Sequence, residues 1–237
     1  MRTRIILIGL FSGLLFGIAT PFSKIILSEL NSFQLAGLLY LGAAVAFLPF
    51  VIKNRKTELS ALRNSGRKLH LTGIIISGGI LGPLFLMMGL KTANAMSVSV
   101  WLNMELVATA ILGILIFKDH LDRYAILGII LTLVAGILVS LQEPVSGLIS
   151  AGFIISACIF WGLDNHLSAI IDGVSARTIT FIKGIIGGMT NLTIGLILMN
   201  GQIQLNYILP AISVGIFSYG ISIVLYVYTA QNIGATR

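Results

Sequence analysis

Eight apolar stretches, each long enough to cross a bilayer, constrain this sequence more than any other feature. A membrane-spanning helix needs about 20 mostly apolar residues, because about 30 Å of hydrocarbon is covered at 1.5 Å per residue. The predicted spans are Ile5–Ser23, Phe33–Ile52, Leu71–Leu90, Met96–Phe117, Tyr124–Leu141, Leu148–Asp164, Thr178–Met199 and Ile208–Thr229. The pattern predicts an all-α integral membrane protein whose main partner is the lipid bilayer.

The composition excludes an ordinary soluble domain. Hydrophobic residues make up 57% of the chain and charged residues only 10%, whereas a globular domain carries about 25% charged residues. A soluble fold with this composition would leave large apolar patches exposed. The net charge of +7 does not indicate a nucleic-acid partner, because the basic residues lie between the apolar stretches and not on an amphipathic helix.

The distribution of basic residues predicts the topology. Arg2 and Arg4 precede the first span, and the connection between the second and third spans holds Lys53, Arg55, Lys56, Arg63, Arg67 and Lys68. Lys and Arg are enriched in cytoplasmic loops of membrane proteins. We therefore expect a multi-pass protein of the inner or plasma membrane with a cytoplasmic N-terminus.

A weak internal repeat divides the chain. The segment Ser12–Lys24 is echoed by Ser156–Ser168, and the segment 89–95 is echoed by 226–232. A repeat of five helices, an odd number, enters the membrane from the opposite side in its second copy. The uncharged connection at 200–206 supports this inversion, because its counterpart in the first copy is strongly basic.

Several segments resemble the drug/metabolite transporter superfamily, specifically its EamA-type members. They are Phe16-Gly17 with Lys24, the stretch 89–95, Met104–Gly113, and Leu127-Gly128 with Ala135-Gly136-Ile137. Leu106 replaces the proline of the family's Leu-Glu-Pro-Val pattern, Lys118-Asp119 stands where Gly-Glu is usual, and the second helix lacks the common arginine.

The resemblance implies ten helices in two inverted five-helix repeats. On that basis the first repeat covers residues 1–141, and the second covers 147–237 and is incomplete, with three helices. The resemblance also implies alternating-access transport of small metabolites or drug-like compounds, with export as the expected direction. A homodimer is left open.

Glu105 is the main candidate for a functional residue. It lies near the middle of the fourth predicted span, where a charged side chain costs about 2.5–3.5 kcal/mol. Two interpretations stay open: a carboxylate that binds a coupling proton or a cationic substrate, and a protonated structural glutamate that hydrogen-bonds between helices. Trp101, one helical turn earlier, is able to share its face and hold an organic cation, although ordinary packing explains it as well. Asn103 should face away from Glu105.

Polar residues in other spans are further candidates. Asp164 and His166 end the sixth predicted span, and Lys183 lies near the start of the seventh. An Asp164–Lys183 gate is one interpretation; solvation at a helix end and snorkelling of the lysine is the other. His166 is a candidate proton relay or a solvated interfacial residue. Tyr40 and Tyr226 either line a pathway or are belt or core residues. Asn191 either contacts the substrate or braces helices.

Two glycine stripes predict close helix packing. Gly9, Gly13 and Gly17 recur every four residues in the first span, and Gly184, Gly187 and Gly188 lie in the seventh. Small residues on one face let another helix approach closely. The alternative is a substrate path along the stripe.

No metal-binding, P-loop, Ser-His-Asp or dinucleotide pattern occurs in the sequence. We therefore expect no cofactor, no metal and no catalytic residue, and transport that is not driven by nucleotide hydrolysis. Protons are the candidate coupling ion, and a small molecule is the expected substrate. Two other classes stay open: an intramembrane enzyme acting on a lipid head group, and a noncatalytic membrane scaffold.

Overall fold

The computed structural model describes residues 2–64, 68–118, 121–171 and 173–233. These residues form nine helices and no strand: α1 (Arg2–Ile26), α2 (Ser32–Lys53), α3 (Arg55–Asn64), α4 (Lys68–Thr92), α5 (Ala95–Phe117), α6 (Arg123–Ser140), α7 (Val145–Ile170), α8 (Ala176–Leu198) and α9 (Leu205–Asn232). All except α3 are long and apolar enough to cross a membrane. The predicted all-α membrane fold is confirmed.

The structure adds one helix to the prediction and extends another. The basic connection between the second and third spans contains α3, which the apolar pattern does not reveal because α3 is polar. The sixth predicted span ends at Asp164, whereas α7 continues to Ile170. The helix continues because the polar side chains at 164–166 bind partners inside the bundle and do not need water.

Three spanning helices contain a π-helical turn, and these are Ile75–Leu81 in α4, Gly113–Phe117 in α5 and Gly215–Ile221 in α9. The turn in α4 ends just before Pro83, which occupies the first turn of the α-helical segment that follows. Pro83 lies inside α4 and has no N–H to donate to the Gly78 carbonyl five residues back, and that carbonyl accepts from the Tyr40 hydroxyl instead. The wide turn therefore accommodates the proline within one continuous helix.

The packing of α2 against α8 forms the centre of the bundle. A Cβ added at Gly37 would lie 2.7 Å from the Leu192 Cβ, and one added at Gly184 would lie 2.9 Å from the Ala44 Cβ. The two backbones therefore approach too closely for any side chain larger than hydrogen at these glycines. The glycine stripe of α8 has the close-packing function that its spacing predicts.

Two further glycine contacts cross between the halves of the chain. A Cβ added at Gly42 of α2 would lie 2.9 Å from the Cα of Gly215 in α9. A Cβ added at Gly187 of α8 would lie 2.8 Å from the Cα of Gly79 in α4. In each contact, one glycine lies in a π-helical turn, that of α4 or that of α9. Its partner lies in α8 or α2, the second spanning helix of the other half.

Candidate functional site

A cavity of about 390 Å³ is lined by α1, α2, α5, α7, α8 and α9, and it is open on the side where its lining residues Gly13, Asn103 and Leu106 are exposed. This volume is within the range of small-molecule binding sites, about 300–1,000 Å³. Six of the nine residues proposed from the sequence line it: Tyr40, Asn103, Glu105, Asp164, Lys183 and Tyr226. The bundle therefore gathers the polar residues of five different helices around one central space.

A break in α5 positions Glu105. The helix turns irregularly at Leu102 and Asn103, where the Glu105 N–H donates to the Leu102 carbonyl, three residues back, at 3.1 Å. The Asn103 side-chain amide donates to the carbonyls of Ser99 and Val100, both at 3.1 Å. Because the helix is irregular here, Asn103 and Glu105 reach the same cavity, contrary to the expectation for a regular helix. Interrupted helices are a recurring feature of transporter binding sites.

Glu105 is held by an amide and not by a cation. The Nδ2 of Asn165 donates to Glu105 Oε1 at 2.8 Å and to Thr109 Oγ1 at 3.2 Å. Across the part of the chain that the structure describes, no Lys, Arg or His lies within ion-pair distance of Glu105. Asn165 was not among the predicted site residues. The sequence feature that indicates Asn165 is the polar run Asp164-Asn165-His166 within an apolar helix.

Asp164 and Lys183 form a buried ion pair beside the cavity. The Lys183 Nζ lies 2.6 Å from Asp164 Oδ2, with side-chain exposures of 2% and 6%. Ser168 Oγ donates to the other carboxylate oxygen at 3.2 Å. A Cβ added at Gly78 would collide with this carboxylate, and one added at Gly79 would lie 2.9 Å from the Lys183 Cγ. The expected pair is present, but it is enclosed by α4, α7 and α8, so solvation at a helix end does not explain it.

Aromatic rings form part of the cavity wall. Phe16 meets Trp161 edge to face at 5.5 Å between centroids and meets Tyr219 at 5.4 Å. The ring of Tyr40 lies 5.6 Å from that of Tyr219, and its hydroxyl donates to the Gly78 carbonyl at 2.5 Å. The wall thus offers ring faces and edges suited to an apolar or cationic group.

The glycine stripe of α1 differs from that of α8. Gly13 and Gly17 line the cavity, and a Cβ added at either would meet no described atom within 4 Å. The expected close packing is therefore wrong for these two glycines, and the alternative, a substrate path along the stripe, stays a prediction. Packing at this face comes instead from Ser12, whose Oγ donates to the Ser222 carbonyl at 2.8 Å while the Ser222 Oγ donates back at 3.0 Å.

Trp101 does not line the cavity. Its side chain is buried, and its Nε1 donates to Ser140 Oγ of α6 at 3.1 Å. Of the two interpretations of Trp101, packing between α5 and α6 agrees with these contacts.

His166 and Asn191 also lie outside the cavity lining. His166 is buried, with its Nε2 2.8 Å from the Thr109 carbonyl and its ring stacked on Phe117 at 4.3 Å, so it is not a solvated interfacial residue. The Nδ2 of Asn191 donates to the Ile80 carbonyl at 3.1 Å, which braces α8 against α4. Nowhere in the described ranges do three His, Cys, Asp or Glu side chains group closely enough to hold a metal ion.

Comparisons with known proteins agree with this architecture. The model of the EamA-like transporter family matches residues 3–141. An uncharacterized transporter of Methanothermobacter thermautotrophicus is 30% identical in an alignment of length 244, which covers 93% of this chain and 70% of that protein. A protein of known crystal structure superposes with a TM-score of 0.70 at 16% identity, over 98% of this chain and 80% of the other, and this likeness bears on the fold alone. The chain belongs to the EamA-like transporter family and is a multi-pass membrane transporter.

Proposed function

We propose that this protein exports a small amphipathic metabolite or drug-like compound, with Glu105 binding the coupling proton or the cationic group of the compound. The main support for this proposal is that Glu105 lines a 390 Å³ cavity and has an amide, Asn165, as its hydrogen-bond partner. The neighbouring carboxylate of Asp164 is already neutralised by Lys183. An ionised Glu105 therefore leaves one negative charge for a ligand to balance.

The shape of the cavity favours a ligand with an apolar or aromatic part. Phe16, Tyr40, Trp161 and Tyr226 provide ring surface around the polar groups. Aromatic rings attract cations through their negative faces, and the attraction strengthens when water is excluded. An organic amine with an aromatic or aliphatic body matches both features.

Alternating access is proposed from the relation between the two halves of the chain. The crossed glycine contacts, Gly42 with Gly215 and Gly79 with Gly187, join equivalent helices of residues 1–141 and 147–237. Inverted repeats that rock around a central site are a common transport mechanism. In this proposal the Asp164–Lys183 pair acts as a gate, because it ties α7 to α8 beside the cavity. Export and a cytoplasmic N-terminus in the inner or plasma membrane follow from the resemblance and from the basic connection between α2 and α4.

The test is transport by the purified protein in liposomes. Flux of a panel of labelled amines and dyes is measured with and without a pH gradient, for the wild type and for Glu105→Gln. We expect gradient-driven flux in the wild type and at least a tenfold loss in the variant, because glutamine neither binds a proton nor balances a cation. Glu29→Gln is the matched control, since Glu29 is an exposed acidic residue between α1 and α2, and it should retain full flux.

Other outcomes would redirect the assignment. Unchanged flux in a folded Glu105→Gln protein would make Glu105 a structural residue. Flux that ignores the pH gradient would exclude proton coupling. Failure of every compound to move would favour an enzyme acting on a lipid head group or a scaffold.

A further inference from the structure

The helix α3 presents a group of basic side chains that no described residue neutralises. Five exposed basic residues lie on α3 or at the adjoining ends of α2 and α4, and we call them the basic face of α3: Lys53, Arg55, Lys56, Arg63 and Lys68. None forms an ion pair within the described ranges. Glu58 is the single acidic residue in the stretch 53–68. A surface of this charge favours an anionic partner.

Two inward contacts fix the orientation of α3. The carboxylate of Glu58 accepts hydrogen bonds from Ser175 Oγ at 3.0 Å and Thr178 Oγ1 at 2.6 Å, at the start of α8. A carboxylate is favourable there because the N-terminus of a helix carries a partial positive charge. Leu62 packs against the apolar cluster that includes Ile74 and Ile179. These contacts turn the acidic residue and Leu62 toward the bundle and leave the basic side chains on the outer side.

Exposed apolar side chains flank α3 and indicate that it lies next to the membrane. Ile52, near the end of α2, is 60% exposed, and Leu69, near the start of α4, is 82% exposed. Such side chains on the outside of a membrane protein are covered by lipid. The basic face of α3 lies between these two residues along the chain, next to the membrane-spanning parts of α2 and α4. Lys and Arg side chains in such a place reach the lipid head groups readily because their long stems extend along apolar surface.

We infer that the basic face of α3 binds anionic lipid head groups. Clusters of four to eight Lys or Arg residues next to a membrane-spanning helix attract acidic lipids, at about fivefold in affinity for each charge near the surface. The five exposed cations, the inward position of Glu58 and the apolar flanks together fit a phospholipid with a negative head group. The inference is independent of the transported compound and of Glu105.

The experiment compares lipid binding by native mass spectrometry of the delipidated protein. The probes are phosphatidylglycerol and phosphatidylcholine with identical acyl chains. The wild type is compared with the triple variant Arg55→Gln/Lys56→Gln/Arg63→Gln. The matched control removes three exposed charges elsewhere, in Lys91→Gln/Lys118→Gln/Arg123→Gln. Single variants and the charge-conserving Arg55→Lys/Arg63→Lys complete the set.

We expect the wild type to prefer phosphatidylglycerol, and we expect salt to weaken that preference because charges beyond about 10 Å are screened at 0.1 M. The α3 triple variant should lose up to about a hundredfold of the preference, each single variant about fivefold, and the lysine variant little. The control triple variant should keep it. If the α3 triple variant does not fold, the single variants carry the same comparison.

Three results would overturn the inference. Equal binding of the two lipids by the wild type would show that no anionic lipid site exists. Equal losses in the two triple variants would reduce the effect to net charge. Full competition by soluble glycerol phosphate would assign the site to a free phosphate compound and not to a lipid.

Discussion

Removing one partner of the Asp164–Lys183 pair should strongly destabilise the protein, and Lys183→Met is the sharpest form of this test. The pair is 2.6 Å long and almost fully buried. Leaving a single uncompensated charge in such a place costs about 3–5 kcal/mol. Placing an aspartate near the centre of a membrane helix costs a similar 2.5–3.5 kcal/mol. Because Ser168 still donates to Asp164, we expect a loss near the lower end, about 3 kcal/mol in the free energy of unfolding.

The double variant Asp164→Asn/Lys183→Met separates charge from packing. It removes both charges together, so the cost of an isolated buried charge disappears while the side-chain volumes stay similar. Replacing both members of a buried ion pair is often close to neutral. We expect the double variant to regain at least half of the stability that Lys183→Met loses.

Cys158 provides the assay. It is the single cysteine of the sequence and is fully buried, so its reaction with a fluorescent maleimide reports unfolding during a denaturant titration in detergent. A loss below about 1 kcal/mol in Lys183→Met would show that the buried Asp164 is stable without its partner. A double variant whose loss equals the sum of the two single losses would contradict the expected coupling of the pair, because independent sites are additive and coupled sites are not.

Three further variants test the packing. Gly187→Ala should cost about 1–3 kcal/mol, because its Cβ would lie 2.8 Å from the Gly79 Cα; thermal unfolding measures this, and an unchanged melting temperature would contradict it. Gly13→Ala should fold normally, since its Cβ would meet no described atom within 4 Å, and reduced folded yield would show that this face is packed. Trp101→Phe should cost about 1 kcal/mol through the lost hydrogen bond to Ser140 and leave transport intact; lost flux at unchanged stability would return Trp101 to the site.

The sequence predicts the fold well because the bilayer imposes a length and a polarity on every spanning helix. Glu105, Asp164 and Lys183 can also be identified from the sequence, since a charge within an apolar span is energetically unfavourable and needs a partner or a function. Those three residues line one cavity in the structure. What the pattern cannot show is which neighbour each charge meets.

The break in α5 is the feature that local sequence hides. Neither glycine nor proline lies at 101–104; the irregular turn is held by the Asn103 side chain and by contacts with α7, including Cys158 Sγ at 3.7 Å from the Trp101 carbonyl. These tertiary contacts bring Asn103 into the cavity and leave Trp101 outside it. The two glycine stripes differ in a similar way, because the glycines of α8 pack tightly whereas Gly13 and Gly17 of α1 have no described atom beside them.

The crossed glycine contacts also limit how the two halves can change over time. At Gly42 with Gly215, and at Gly79 with Gly187, both partners already have the smallest side chain available. A larger residue at one position therefore cannot be offset by a smaller one opposite, which is the usual route of compensatory mutation in a packed core. In a suppressor screen started from Gly187→Ala, recovery at this contact should come through reversion of the same codon. These four positions should consequently resist substitution even where the surrounding parts of the helices change.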